Sequence, residues 1–137
     1  MIFDILESKL IAAGFTAGTD LFRGTIPADT SIGVMMRSSL TGFRVDPEIP
    51  HYYKGEIQVI TRHVSPGEGS AMADRVMRKL TMQAGSESYP ATGDRGAVMI
   101  KRFVPQSLPI EYPRLTGNGF ELSQTWDVVF TMQPLLP

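Results

Sequence analysis

A strict alternation of apolar and polar residues near the carboxyl end constrains this fold more than any other feature of the sequence. Between residues 120 and 132, every second side chain would face the same side of a strand, because neighbouring side chains point to opposite faces of a sheet. One set is Phe120, Leu122, Gln124, Trp126, Val128, Phe130 and Met132, and the other is Glu121, Ser123, Thr125, Asp127 and Thr131, with Val129 as the exception. The pattern predicts a long strand with one buried face. The buried indole N–H of Trp126 is expected to have a hydrogen-bond partner.

Residues 65–68 give the clearest local signal, which is that of a helix start. Ser65 suits the N-cap, Pro66 suits the first helical position, and Glu68 follows the serine at the spacing of a capping box. The apolar positions that follow recur at helical spacing and would form one buried stripe. They are Met72, Ala73, Val76, Met77, Leu80 and Ala84. The pattern predicts a helix that Gly85 ends.

The remaining elements follow from shorter patterns. Residues 2–13 predict an amphipathic helix capped by Gly14, and β-rich runs predict strands near 33–38, 53–64 and 97–104. Turn residues predict reversals at 92–96 and 116–119. Residues 40–50 mix glycine and proline with apolar residues and predict a projecting loop or an irregular hairpin arm. Three prolines, at positions 105, 109 and 113, are expected to interrupt strand pairing.

The order of these elements is helix, strands, helix, strands. This order predicts an α+β fold with a mainly antiparallel sheet and two helices packed on one of its faces. The sequence contains no internal repeat and no composition typical of a linker, so residues 1–137 are expected to form a single domain.

Composition excludes several classes of function. The chain has no cysteine, which rules out disulfides, thiolate zinc sites and cysteine nucleophiles. Thirteen Lys and Arg against 14 Asp and Glu give a net charge of -1, which argues against binding nucleic acid through bulk positive charge. No apolar run is long enough for a membrane helix, and the acidic amino-terminal segment is unlike a signal peptide.

No group of residues has the spacing of a reactive centre. His51 and His63 lack a partner at a metal-ligand spacing, so a surface histidine and a histidine near a sheet edge are expected. The small residues at 65–70 lack the ending of a phosphate-binding loop and are expected only to start a helix. Carboxylate pairs such as Glu87 with Asp94, or Glu111 with Glu121, could meet across a hairpin, but no pattern indicates it. We therefore assign no catalytic residue, cofactor or metal ligand and expect no enzyme.

Two stretches fit a purely structural role less well. Residues 45–53 carry apolar and aromatic groups in an expected loop, and residues 132–137 end the chain with apolar residues past the last strand. Exposed groups of this kind commonly mark contacts with other proteins. The candidate interface residues are Phe43, Arg44, Tyr52, Tyr53 and Leu135.

Several segments together resemble the tail terminator proteins of long-tailed bacteriophages, a group also described as phage minor capsid or minor tail proteins. The resemblance covers nearly the whole chain. It rests on the opening helix at 3–10, on residues 21–27 before the first strand, on the strand at 55–62 that leads to the capped helix, and on residues 105–109, which lead through a Gly-Asn-Gly turn to 120–128.

The resemblance implies a structural virion protein that forms a hexameric ring on the head-proximal end of the tail. Such a ring would cap the tail tube, end tube polymerisation and join the tail to the head–tail connector or stopper protein. DNA would pass through the lumen without specific binding, and assembly would take place in the host cytoplasm. Two alternatives remain open: a head-closure, neck or tube-like virion protein, and a domain that binds or hydrolyses a small molecule in a cleft between sheet and helices.

Overall fold

The computed structural model describes residues 2–82, 85–114 and 119–135. Within these ranges the chain forms two helices and seven strands. In chain order they are α1 (Phe3–Ala12), β1 (Leu21–Arg23), β2 (Gly33–Val45), β3 (Tyr52–His63), α2 (Pro66–Leu80), β4 (Glu87–Tyr89), β5 (Val98–Pro105), β6 (Ile110–Pro113) and β7 (Phe120–Met132).

The strands form one curled sheet in the order β1-β2-β3-β7-β5-β4, and β6 also pairs with β7. Only β1 and β2 pair in parallel, so the predicted α+β class with a mainly antiparallel sheet is confirmed. Strand β7 pairs with β3 along its whole length. On its other side β5 pairs with its second half and β6 with its beginning. This central strand therefore organises the sheet.

The alternation in β7 is confirmed by burial. Every second residue from Leu122 to Phe130 is buried, whereas the residues between them are half-buried. The one polar residue on the buried side, Gln124, has a hydrogen-bond partner there, because its side-chain amide nitrogen donates to the Ser107 carbonyl oxygen at 2.8 Å. Trp126 is fully buried and stacks on Phe103 with ring centroids 4.7 Å apart. Its indole nitrogen has no hydrogen-bond partner among the described residues.

Helix α2 starts at the predicted residue with the predicted serine cap, but the capping box is not completed, because the Ser65 backbone N–H donates to the His63 Nδ1 atom instead of the Glu68 carboxylate. The Ser65 hydroxyl oxygen accepts a hydrogen bond from the Glu68 backbone N–H at 3.4 Å, and Pro66 is the first helical residue. The helix ends at Leu80, before the predicted Gly85, because Thr81 adopts an extended backbone. The Met82 backbone then exchanges two hydrogen bonds with Phe103 in β5. The predicted stripe position Ala84 lies outside the described residues.

The two helices cover the apolar core. Helix α2 lies against β3, β5 and β7, and α1 lies against α2 and β1. The predicted apolar face of the first helix is confirmed for Ile2, Ile5, Leu6 and Leu10, which are buried. Gly14 has a φ of 106°, the left-handed conformation expected at a helix end. Neither helix in the described part of the chain is long and apolar enough to span a membrane.

Some local predictions are confirmed and others need correction. Strand β2 does not end near residue 38 but continues to Val45, and of the two alternatives for residues 40–50 the irregular hairpin arm is confirmed. Strand β3 is central in the sheet, and His63, its last residue, pairs with Phe120 of β7 just beyond the part of β3 that pairs with β2. The prolines do not prevent pairing: Pro109 precedes β6, and Pro113 belongs to this strand, which pairs with β7. The predicted turn residues 116–118 lie outside the described residues.

Candidate protein interface

The hairpin of β2 and β3 forms an arm whose outer side is a free sheet edge. Strand β1 covers only Val34–Met36 of β2. From Arg37 to Val45, β2 pairs only with β3 among the described strands. A strand edge with unpaired backbone groups is a place where another chain can add.

The turn at the end of the arm is held by hydrogen bonds between its backbone N–H groups and the Asp46 side chain. The Asp46 carboxylate accepts hydrogen bonds from the backbone N–H groups of Glu48 and Ile49 at 2.8 and 2.9 Å. These bonds hold the pKa of Asp46 below its usual value. His51 closes the turn with a φ of 63°, and its carbonyl oxygen accepts from the Met132 N–H at 3.0 Å. The conformation of the turn is therefore fixed by these hydrogen bonds.

A bulge interrupts the arm midway. Ser38 pairs with Ile57 and Phe43 with Gly55, so residues 39–42 of β2 face a single residue of β3 and bulge outward. Gly42 permits this with a φ of 65°. Leu40 lies in the bulge and is fully exposed, more than any other large apolar side chain described. The sequence analysis did not single it out, although one leucine among small polar residues and glycine was the available signal.

Two of the predicted interface residues fasten the arm to the core of the same subunit. The rings of Phe43 and Tyr53 each have their centroid 5.4 Å from that of Phe130, and both are half-buried. Gly55 leaves space for Phe43, since a Cβ at this position would lie 2.5 Å from the Phe43 Cδ1 atom. These aromatic rings hold the arm against the sheet.

The other three predicted residues lie nearer to solvent. Arg44 and Leu135 are exposed, and Tyr52 is half-buried with the Lys54 ammonium group 5.5 Å from its ring. Leu135 and Tyr53 line one cavity of about 380 Å³, whereas Arg44 lines a separate cavity of about 280 Å³ on the arm. The structure thus brings Tyr53 and Leu135 together and sets Arg44 apart from them.

The carboxyl-terminal segment is anchored by a buried arginine turn. Arg95 donates to the Asp4 carboxylate at 3.0 Å and to the carbonyl oxygens of Pro90 and Gly96 at 2.9 and 3.0 Å. A Cβ on Gly96 would lie 1.9 Å from the Gln133 carbonyl oxygen, so the chain after β7 packs directly on this turn. This contact fixes where Leu135 emerges.

A second exposed apolar area lies on the other side of the sheet. Leu108 and Ile110 are mostly exposed at the start of β6. Beside them, a groove of about 240 Å³ runs between this segment and α2. We call it the Leu108 groove; its walls are Met77, Leu108, Pro109 and Leu122, with the carboxylates of Asp74 and Glu111. Sequence reasoning missed this area because the neighbouring prolines predict a break in the sheet rather than an apolar surface.

The titratable candidates do not form a reactive centre. His63 accepts a hydrogen bond from the Ser65 N–H at its Nδ1 atom, with Glu68 at 3.6 Å from Nε2, while His51 lies at the opposite end of β3. The described residues include no group of three or more histidines and acids placed to hold a metal ion. The histidines are thus explained by local structure.

Glu111 and Glu121 do not converge either, and Glu87 is engaged in an ion pair. Glu111 pairs in register with Leu122 and Tyr112 with Glu121, so the two glutamates face opposite sides of the sheet. Glu121 binds Arg62 at 2.9 Å. Glu87 binds Lys9 at 2.8 Å, which holds the pKa of Glu87 below its usual value.

One comparison with known proteins gives a match. The family model described as bacteriophage tail terminator protein matches residues 9–118, from the middle of α1 through the whole of β6. No curated protein matches the chain significantly. The matched range contains the arm, the bulge and most of the Leu108 groove.

Proposed function

We propose a function from the premise that this chain belongs to the family of bacteriophage tail terminator proteins. The family is one of structural phage tail proteins and not of enzymes. The chain is therefore a structural virion component that associates with other tail or head proteins.

In this proposal six copies form a ring on the head-proximal end of the tail. The ring caps the tail tube, stops its polymerisation and presents a surface to the head–tail connector or stopper protein. DNA passes through the lumen without specific binding, in line with the net charge of -1. Subunits of a ring contact each other through two different surfaces that repeat head to tail. The observation that carries the proposal is that the subunit has two different exposed apolar areas, the arm with its bulge and the Leu108 groove, which could serve as these two surfaces.

We also propose that both helices pack on one face of the sheet. The contacts of α2 with β3, β5 and β7 support this, as does the contact of α1 with α2. The opposite face of β3 and β7 carries polar side chains that bind each other, such as Gln58 with Ser123 at 2.9 Å. This arrangement leaves the sheet edges and the arm, rather than a cleft, for contacts with other subunits.

The five residues predicted from sequence divide into two roles in this proposal. Arg44 and Leu135 are exposed, and Tyr52, although half-buried, is not among the residues packed against the apolar core, so these three can contact a neighbour directly. Phe43 and Tyr53 support the arm from beneath through Phe130. A substitution in the second group would therefore alter assembly by loosening the arm.

The mass and shape of the purified particle test the proposal. Native mass spectrometry is expected to give six times the subunit mass, and negative-stain images a ring, either alone or after addition to tail tubes. A protein that stays monomeric and never adds to tubes would contradict it. Long tubes formed by the protein alone would instead favour a neck or tube-like role.

A further inference from the structure

We propose that the bulge of one subunit docks into the Leu108 groove of the next, with Leu40 as the apolar anchor. This inference rests on the proposed ring and names the surfaces that meet in it. The bulge comprises residues 39–42 of β2 with the flanking Arg37 and Arg44. The occupant of the groove is thus a second copy of this chain.

The first argument is the exposure of Leu40. The side chain is fully exposed, on a bulge fixed at both ends by strand pairing. Burying a leucine side chain stabilises a protein, and none of this stabilisation is gained by Leu40 within the subunit. Exposed apolar surface of this kind marks sites of contact with other proteins. The bulge thus presents Leu40 as a knob, that is, an exposed side chain that no pocket in the described part of its own subunit receives.

The second argument is that the groove fits such a knob. Four of its seven lining residues are apolar, and one of these, Leu108, is itself mostly exposed. Its volume is about 240 Å³. A protein cavity of about 150 Å³ is enough for a benzene molecule, so a leucine side chain fits. Docking would cover the exposed apolar groups of both surfaces at once.

The third argument is charge. Arg37 and Arg44 flank the knob, whereas Asp74 and Glu111 belong to the groove. Asp74 is paired with Arg78 and Arg37 is bonded to Gln58. The described residues contain no ion-pair partner for Arg44 or Glu111. Opposite charges across an interface favour the correct partner, and two bulges facing each other would repel.

The fourth argument is position. The bulge lies on β2 and the groove beside β6, and β3 and β7 stand between these strands. Three strand spacings of about 4.8 Å set the two surfaces roughly 14 Å apart. A contact between different surfaces on opposite sides of a subunit is heterologous, so it continues from copy to copy and can close a ring. A ring interface needs about 800 Å² from each partner, so the knob is its anchor and not its whole extent.

Cysteine cross-linking tests the contact without background, because the chain has no cysteine. A disulfide requires Cα atoms within about 7 Å, which the separation within one subunit does not allow. Mixing the Leu40→Cys and Leu108→Cys proteins under mild oxidation is expected to give a linked dimer, whereas each variant alone gives none. A protein that carries both substitutions is expected to give a series of cross-linked oligomers, from the dimer up to the complete ring. The pair Leu40→Cys and Val64→Cys, in which Val64 is also exposed but lies outside the groove, is the control and is expected to stay unlinked.

Charge reversal provides an independent test. Arg44→Glu and Glu111→Arg are each expected to raise the subunit concentration for half-assembly about tenfold, which corresponds to roughly 1.4 kcal/mol. The double variant is expected to recover most of that loss. Arg102→Glu, which changes the same charge on an exposed residue of β5, is the control and should leave assembly unchanged.

The outcomes separate this inference from the proposed function. Rings that form without the Leu40–Leu108 cross-link, or with a Leu40–Leu40 link, would overturn the docking and leave the ring intact. A Leu40→Cys protein that links to a tail or head protein, but not to another copy, would also overturn it. A protein that forms no ring under any condition would remove both proposals.

Discussion

At the scale of single residues, the arm depends on two unusual backbone positions. Among the described residues His51 is the only non-glycine with a positive φ, at 63°. An L-residue in this conformation costs roughly 1–2 kcal/mol, whereas glycine adopts it freely. The hydrogen bond from Met132 to the His51 carbonyl oxygen holds the backbone in place despite this cost.

Replacing His51 with glycine and with alanine separates backbone strain from side-chain contacts. Both variants lose the imidazole, but only glycine relieves the strain. The free energy of unfolding of His51→Gly, measured by urea denaturation, is expected to exceed that of His51→Ala by about 1 kcal/mol. Equal stabilities would contradict a strained turn.

Gly55 is the second special position, because the ring of Phe43 occupies the space above it. A Cβ there would lie 2.5 Å from the Phe43 Cδ1 atom and 2.9 Å from the Gly42 carbonyl oxygen. Gly55→Ala is therefore expected to destabilise the protein by about 1–3 kcal/mol in urea unfolding. Gly67→Ala is the matched control: its Cβ would meet nothing within 4 Å, so a neutral or stabilising effect is expected. A loss in the control as large as that in Gly55→Ala would count against the packing argument.

At the scale of elements, an ion pair connects α1 to the edge strand β4. Glu87 accepts from the Lys9 ammonium group at 2.8 Å and from the Tyr89 hydroxyl at 2.5 Å. These two contacts hold the pKa of Glu87 below its ordinary value of 4.5. A carboxyl group with a lowered pKa stabilises the fold above its unfolded pKa, and this stability is lost as the pH falls through the folded pKa.

Glu87→Gln is expected to lower the free energy of unfolding at pH 7 by less than about 1 kcal/mol, because the pair is partly exposed. The difference from the wild type should shrink as the pH falls below 4.5. Urea unfolding at a series of pH values measures it. Glu48→Gln, an exposed glutamate without an ion pair among the described residues, is the control and should show little difference at any pH. A constant difference at all pH values would contradict the ion pair as the cause.

At the scale of the whole molecule, the arm has to be both firmly attached and available to a neighbour. Tyr53 belongs to the attachment, since its ring lies against Phe130, and Tyr52 belongs to the outer surface. The two adjacent tyrosines should therefore respond differently to the same substitution.

Tyr52→Ser is expected to weaken ring assembly while the subunit keeps its stability. Tyr53→Ser is expected to lower the free energy of unfolding by about 2–4 kcal/mol, because it removes a core-facing ring. Native mass spectrometry measures the mass of the assembly, and urea denaturation measures the free energy of unfolding. An unchanged hexamer in the Tyr52→Ser variant would remove this residue from the interface, and equal stability of both variants would contradict the division of roles.

Much of the fold and only part of the candidate interface could be predicted from the sequence. Phe43 and Tyr53 drew attention as aromatic residues in an expected loop, but burial depends on Phe130, far away in the chain. The exposure of Leu40 depends on a mismatch in register between two strands. A local pattern carries neither kind of information.

The sequence by itself determined the long strand β7, the capped start of α2, the apolar face of α1 and the α+β class. These features follow from periodicity and capping, which involve residues close together in the chain. Only the tertiary structure decided that β2 continues past its bulge, that His63 lies on a central strand and that β6 pairs with β7. It also decided that β3 and β7 stand between the bulge on β2 and the Leu108 groove beside β6. These features depend on which strands become neighbours, and strand order is set by contacts between residues distant in sequence.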